Sequence, residues 1–291
     1  MPSASAKSLK AKVFNRGDLH LIASYSNISN TQSDMAFERE VDLARQMAQE
    51  AGALALDFQR KGVTAETKSD ESPVTAADRA CEKLIVDSIA RVFPEDGVLG
   101  EEGANRETAN GRRWIIDPID GTRDFVRGIP LWAVLIALEQ DGEIVAGAAH
   151  SPRQRLLLSA SRGGGAWLHE SPNESRLHVS DKSDPSQAVL SFNGFNKVGI
   201  SSFSQRLLPW VHRFWAVRSL GGAVDAMLLA QGQTDVWIEP NAQPWDLAPL
   251  KLLIEEAGGI MRSFAGEDTI YGGNAYACVP GLEPYVRQLL G

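Results

Sequence analysis

Trp114-Ile115-Ile116-Asp117-Pro118-Ile119-Asp120-Gly121-Thr122 is an apolar run that ends in two carboxylates and a small-residue turn. It reads as a buried strand that delivers two acids to its C-terminal edge. Pro118, with no N–H and a fixed φ, should stop the ladder there. Asp120-Gly121-Thr122 then reads as the mouth of a helix or tight turn, where a side chain can cap and free backbone N–H groups can face an anion. Carboxylates beside an anion-binding backbone repel the anion unless a cation lies between them. Mg²⁺ resolves the conflict, because it is typically held by one or two carboxylates together with substrate phosphate oxygens. The stretch therefore predicts its own metal, and any anionic substrate should be small and metal-bridged.

Other acids stand in the same kind of place. Val98-Leu99-Gly100 leads into Glu101-Glu102-Gly103, a second short strand ending in carboxylates. After Pro244-Trp245-Asp246, apolar residues Leu247, Leu250, Leu253 and Ile254 follow at helical spacing and Gly258-Gly259 closes the element. Asp246 is thus placed at a helix N-terminus, where the dipole favours a carboxylate. Singly, these acids read as a solvated turn, an N-cap and a strand terminator. Together, Glu101, Asp117, Asp120 and Asp246 all lie where an element starts or ends, so they can converge on one sheet edge. An EF-hand beginning at Asp117 fails because Gly128 stands where the bidentate Glu is needed. Glycoside hydrolysis by paired acids would leave the Gly121-Thr122 cradle unexplained. Arg162-Gly163-Gly164-Gly165-Ala166-Trp167 departs from G-x-G-x-x-G at Leu168, and no G-x-x-x-x-G-K-[ST] occurs.

The elements that must position these acids follow from periodicity. An amphipathic helix capped by Asp34 places Phe37, Val41, Ala44, Ala48, Ala51, Ala55 and Phe58 on one face and ends before Gly62. Thr64 to Asp70 begins as a strand and turns polar at residues 68–72, giving a hairpin or loop. A helix starting near Thr75 should bury Ala77, Cys81, Leu84, Ile85, Ile89 and Val92 before Pro94. Leu131 to Leu138, Glu143 to His150 and Arg155 to Ala160 read as three successive antiparallel strands. Beyond a boundary in the polar stretch Ser180 to Ser186, strands (188–192, 214–219, 235–239) alternate with helices (201–211, 222–230). That alternation favours a layered α/β arrangement. The expected division is thus an N-terminal α+β domain over 35–180 carrying most metal ligands and a C-terminal α/β domain over 181–291.

Composition limits the alternatives. The chain has 291 residues, 43% hydrophobic and 23% charged, as in ordinary soluble globular proteins. A formal charge of −8 and a pI near 5.2, with no basic stripe, argue against a nucleic-acid partner. Cys81 and Cys278 lack the paired spacing of a zinc or redox motif and read as reduced core residues. His20, His150, His169, His178 and His212 form no metal-binding pair. No apolar run is long enough to span a membrane. Residues 1–34 are Ser-rich and carry Lys7, Lys10, Lys12 and Arg16 against Asp18 and Asp34. They read as a disordered tail, as the product of a start codon placed upstream of Met35, or as a loosely transit-like segment, with no secretory h-region. A cytoplasmic location is expected.

The motifs Gly100-Glu101-Glu102, Trp114 to Thr122 and Trp245-Asp246, followed by Glu256-Ala257-Gly258-Gly259, together resemble the inositol monophosphatase family of metal-dependent, lithium-sensitive phosphatases. The resemblance runs from about Met35 to the C-terminus. It implies an αβαβα sandwich of the inositol monophosphatase and fructose bisphosphatase type, two or three Mg²⁺ ions at the domain junction, and a homodimer. By resemblance, Glu101, Asp117 and the Ile119 carbonyl hold one ion, and Asp117, Asp120 and Asp246 the second. Lys68, Asp78 and Glu102 match further active-site positions, and Gly121 and Thr122 match the phosphate-binding turn. Gly222, Ala223 and Glu239 match substrate-contacting positions. The implied reaction is hydrolysis of a small phosphate monoester by a metal-activated water that Glu101 and Thr122 orient. Residues 96–102 and 124–132 are similar to the histidinol-phosphate phosphatase branch. Gly222, where that branch usually carries Asp, is similar to the inositol-phosphatase version. Histidinol phosphate is the first substrate expectation and inositol monophosphates the second. Sugar bisphosphates, phosphoadenosine phosphate and a non-catalytic role stand behind.

Overall fold

The computed structural model describes residues 37–62, 64–68, 73–198 and 201–291. The expectations for residues 1–34, including the Asp34 cap, and for loop positions 69–72 lie outside the described residues. Helix α1 (Glu38–Lys61) buries Ala44, Ala48, Ala51 and Ala55 of the expected stripe, together with Met47, while Phe37, Val41 and Phe58 are partly buried against the same core, and Gly62 ends the helix. It is entered through Phe37 in the left-handed region, φ 69°, with no side-chain cap. Strands β1 (Ala65–Thr67) and β2 (Pro73–Thr75) form an antiparallel hairpin. Thr75 then caps α2 (Ala76–Val92), and Asp78 returns a bond to the Thr75 N–H, completing a capping box. Ala77, Cys81, Ile85 and Ile89 are buried as expected, and Leu84 is partly buried. Val92 is not: it is 40% exposed, because it falls in the last turn, where the apolar stripe runs past its cover.

An eight-stranded sheet follows, built from β3 (Gly97–Gly100), β4 (Asn105–Arg106), β5 (Arg112–Asp120), β6 (Ala133–Gln140), β7 (Glu143–Ser151), β8 (Leu156–Ser161), β9 (Gly165–Glu170) and β10 (Asn173–Arg176). Their spatial order is β10-β9-β8-β7-β6-β5-β3-β4. The three antiparallel strands expected between 131 and 160 are β6 to β8, while β3 and β5 run parallel. Between β5 and β6 the chain forms the short helix α3 (Thr122–Arg127). Pro118 does not stop β5, contrary to the reading of the sequence. The register passes from Asp117 opposite Leu135 to Asp120 opposite Ala133, so three steps on β5 face two on β6. That bulge absorbs the position whose missing N–H would break a regular ladder.

The second half alternates as expected through β11 (Val189–Phe192), α4 (Phe195–Val198), α5 (Ser204–Val211), β12 (Ala216–Arg218), α6 (Gly222–Ala230), β13 (Val236–Glu239) and α7 (Pro244–Glu256). It closes with β14 (Ile260–Arg262), β15 (Ala275–Cys278) and α8 (Glu283–Leu290). These strands form a mixed five-stranded sheet, ordered β12-β11-β13-β15-β14.

Strands buried on both faces send alternate residues into different cores. Trp114 and Ile116 pack with α1 and α2, whereas Ile115 joins a core that contains Leu247, Leu250 and Leu253 of α7. On the other sheet, Trp237 and Ala277 enter that same α7 core, while Val236, Ile238 and Cys278 pack with Leu207, Val286 and Leu289 of α5 and α8. The layers are therefore α1/α2, the large sheet, α6/α7, the small sheet and α5/α8, the αβαβα sandwich that the family resemblance implies. The expected boundary near residue 180 falls in the coil between β10 and β11, and residues Met35–Gly291 form one compact unit.

Because the middle layer seals both sheets, truncating it should be costly. Leu250 is 1% exposed, and Leu250→Ala is expected to lower unfolding free energy by about 2–5 kcal/mol, as for other buried leucines. Urea denaturation checks this; a loss within the range of a surface substitution would show that the α7 core does not bear on both sheets.

Candidate active site

Parallel pairing of β3 and β5 is what brings the first acids together. Gly100 lies opposite Ile116, and the Glu101 N–H donates to the Ile116 carbonyl at 3.1 Å. Glu101 and Asp117 therefore leave the same edge of the sheet side by side. The bulge at Pro118 then turns Asp120 towards the second sheet, where the Ala223 N–H in the first turn of α6 donates to its Oδ2 at 3.1 Å. Asp246, in the first turn of α7, accepts the Gln243 N–H at 2.8 Å. One carboxylate oxygen from each of Asp117, Asp120 and Asp246 lies within 4.8 Å of the others.

The turn after Asp120 completes one wall. Gly121 adopts φ 85°, a left-handed conformation that glycine takes without strain, and a Cβ there would also press on the Leu131 carbonyl oxygen at 3.1 Å. The Thr122 hydroxyl donates to the Ile119 carbonyl at 3.1 Å and lies 3.4 Å from Asp78 Oδ1. Lys68 Nζ bridges Glu101 Oε1 at 2.8 Å and Glu102 Oε1 at 2.7 Å. A cavity of about 320 Å³ is lined by Glu101, Asp117, Ile119, Asp120, Gly121, Thr122, Arg123, Asp124, Asn193, Gly221, Gly222 and Asp246. Of the residues singled out in the sequence, Lys68, Asp78, Glu102 and Ala223 touch this wall from behind. Glu239, 4% exposed, stands behind Asn193, whose Nδ2 donates to Glu239 Oε2 at 2.6 Å.

Crowding of acids sets the electrostatics. Burial first, then the charges of Glu101, Asp120 and Asp246, hold the Asp117 carboxyl well above the usual range. Burial lifts Asp120 to about 6 against the opposing Ala223 N–H, and lifts Asp246 to about 8, with the charge of Asp120 adding to it. Burial likewise carries Glu102 to about 7 despite Lys68, and Glu239 to about 8 despite Asn193. For Lys68, burial disfavours the charge, but the bonds from Glu101 and Glu102 outweigh it and raise the ammonium further. Like charges this close are unfavourable without a counter-charge. The donor set is all oxygen, supplied by carboxylates and by the Ile119 carbonyl that also accepts the Thr122 hydroxyl, and it fits a hard divalent cation and not a thiolate- or imidazole-seeking metal.

Several residues of the site escaped the sequence reading. Asn193 ends β11 as Glu101 ends β3, and that shared signal, a polar residue closing a short apolar strand, could have found it. Asp124 and Arg123 follow the cradle directly but carry no distinguishing spacing. Gly222 was matched by resemblance to a substrate-contacting position, but its closeness to Asp120, with a Cβ 3.4 Å from Oδ2 and 3.3 Å from Asn193 Nδ2, was invisible before folding.

The sequence model of the inositol monophosphatase family matches residues 38–288. A histidinol-phosphatase of Mycobacterium tuberculosis is 40% identical over 213 residues, covering 73% of this chain and 82% of that protein. An inositol-1-monophosphatase of Rhizobium meliloti is 36% identical over 213 residues, covering 71% and 78%. Among solved structures, the extragenic suppressor protein suhB of Bartonella henselae superposes with a TM-score of 0.80 at 30% identity, covering 87% of this chain and 98% of that one. Fold, acid cluster and relatives agree on the class, a metal-dependent phosphatase with layered α/β architecture. The chain belongs to the inositol monophosphatase family.

Proposed function

We propose that the protein is a Mg²⁺-dependent histidinol-phosphatase. The observation that carries the reading is the convergence of Asp117, Asp120 and Asp246 on a cavity that the Gly121-Thr122 turn also lines. Glu101, Asp117, Asp120, Asp246 and the Ile119 carbonyl would hold the cations. Bound there, divalent cations would lower the pKa of a water and stabilise the leaving alkoxide during in-line displacement. Glu101, kept in place by Lys68, and Thr122, kept in place by Asp78, orient the attacking water. The backbone N–H groups that open α3 face the phosphate oxygens. Gly222 leaves room beside Asp120 for the leaving group, and Ala223 holds the Asp120 carboxylate in place. The family resemblance adds two or three ions, lithium sensitivity and a homodimer to the proposal, alongside the cytoplasmic location expected from the sequence.

Histidinol phosphate is favoured over other esters by the similarity to curated histidinol-phosphatases and by the Asn193–Glu239 pair. Glu239 Oε2 accepts from the Asn193 NH₂ and so leaves the amide oxygen free for an N–H or O–H of the leaving group. Gly222 favours the second reading, an inositol monophosphatase, because its missing side chain withholds the extra acid that would attract an amine. A phosphate-release screen across histidinol phosphate, inositol monophosphates, fructose bisphosphate and phosphoadenosine phosphate separates them. The highest kcat/KM should fall on histidinol phosphate, and a preference for an inositol phosphate would overturn the assignment.

The same pair yields a substitution test. Glu239→Gln removes the acid that stands behind Asn193, and if that acid supports a cationic leaving group the cost is about 2 kcal/mol or more, so kcat/KM for histidinol phosphate should fall at least about thirtyfold. A generic aryl phosphate lacks that cation and should lose only a few-fold. Equal, small losses on both would move the assignment to a polyol phosphate.

A further inference from the structure

We infer that Glu82 is a positioning residue for the metal-binding turn, acting through a clamp that only glycine at position 100 permits. The inference rests on the role proposed above for Glu101. Glu82 lies in the middle of α2 and is 6% exposed. Its Oε2 accepts the Glu102 N–H at 2.9 Å and its Oε1 accepts the Ala104 N–H at 2.9 Å. One carboxylate therefore straddles the turn 101–104, which is closed on itself by the Gly100 N–H donating to the Ala104 carbonyl at 2.7 Å. Glu101 and Glu102, the two acids gripped by Lys68, are consecutive residues of that turn.

A buried acid among acids is a poor choice for packing alone, and an apolar side chain would fill the space at lower cost. What a carboxylate does here that no apolar group can is accept two backbone N–H groups at once and so fix the turn's orientation. Gly100 makes this possible. A Cβ at position 100 would stand 2.2 Å from Glu82 Oε2 and 2.7 Å from its Cδ, so a side chain there and the clamp exclude each other. Four residues earlier on the same face of α2, Asp78 holds the Thr75 N–H at 2.8 Å and faces the Thr122 hydroxyl at 3.4 Å. The helix thus carries two acids about 6 Å apart along its axis, one tied to the Glu101 turn and one to Thr122. Its rigidity sets the spacing between the two groups that orient the attacking water.

The test uses Glu82→Gln, which keeps shape but presents an NH₂ to one of the two donors, Gly100→Ala, and Cys81→Ala as a control for loosened α2 packing. Binding is measured by titration calorimetry with Mg²⁺ alone, turnover by phosphate release, and stability by melting. Glu82→Gln and Gly100→Ala should each weaken Mg²⁺ binding and lower kcat by about tenfold or more, with KM for the ester unchanged, as for other residues that orient metal ligands. Because the two changes break one clamp, the double variant should be no worse than the poorer single one. Cys81→Ala should lower the melting temperature with Mg²⁺ affinity and kcat intact. The inference is overturned if Glu82→Gln behaves as Cys81→Ala does. Should Glu82→Gln not fold, Gly100→Ala decides: unchanged Mg²⁺ affinity and kcat would overturn the clamp. A Glu101→Gln variant that keeps full Mg²⁺ affinity and turnover would instead remove the reading of Glu101 on which the clamp depends.

Discussion

Asp120→Asn and Asp246→Asn are each expected to lower kcat by about a thousandfold, since a ligand charge in such a site supplies several kcal/mol of transition-state stabilisation. Neither side chain belongs to the hydrophobic clusters, so the fold should persist. The metal-free variants should even melt higher than the parent protein. In the parent, Asp117, Asp120 and Asp246 are forced together within 4.8 Å, and replacing one removes a like charge that folding must bring close. Phosphate release and melting in excess chelator check both halves. Near-normal turnover in both variants would show that the acids do not hold the catalytic cation. Unfolding of both would make them structural caps.

Stripping the protein with chelator should abolish turnover and make its stability fall as pH rises. The sign follows from the carboxyls: Asp120 is raised from 3.8 to about 6 and Asp246 from 3.8 to about 8. A folded-state pKa above the unfolded one means that the native state binds more protons in between. The stabilisation is fully present below about pH 4 and is lost as pH climbs through 6 and then 8. Metal-free melting temperature should therefore decline across that window. Mg²⁺ binds the ionised form, so its addition should restore stability most at the alkaline end. At pH 7 it should release about one proton or more per chain into weak buffer. A flat melting profile, or binding without proton release, would mean that the cluster is not crowded in solution as its geometry requires.

The acids that line the candidate site were legible because each is marked by chemistry within a few residues. Asp117 and Asp120 end an apolar run at a proline and a glycine turn, Glu101 ends a shorter run, and Asp246 opens a helix whose apolar spacing is plain. The β6–β8 meander, the alternation after residue 188 and the two N-terminal helices were legible for the same reason, as was the five-layer sandwich through the family resemblance. Less was legible where the outcome depends on a distant partner. Pro118 stays within β5 because β6 tolerates a bulge opposite it, and nothing near Pro118 announces that tolerance. Glu82 looks like any polar residue on a helix until Gly100 and the 101–104 turn lie against it.

By itself the amino-acid order determined which residues carry the charge and which elements present them, because element type and termini depend on local periodicity and on turn and cap chemistry. Tertiary structure alone decided that β3 and β5 run parallel, so that Glu101 and Asp117 share an edge, and that α6 and α7 deliver Ala223 and Asp246 to the same point. It also decided that Asn193, and not Glu239, lines the cavity. Strand pairing and helix docking are selected by burial of side chains far apart in sequence, and the three cores that select them exist only once both sheets and the helices between them have closed.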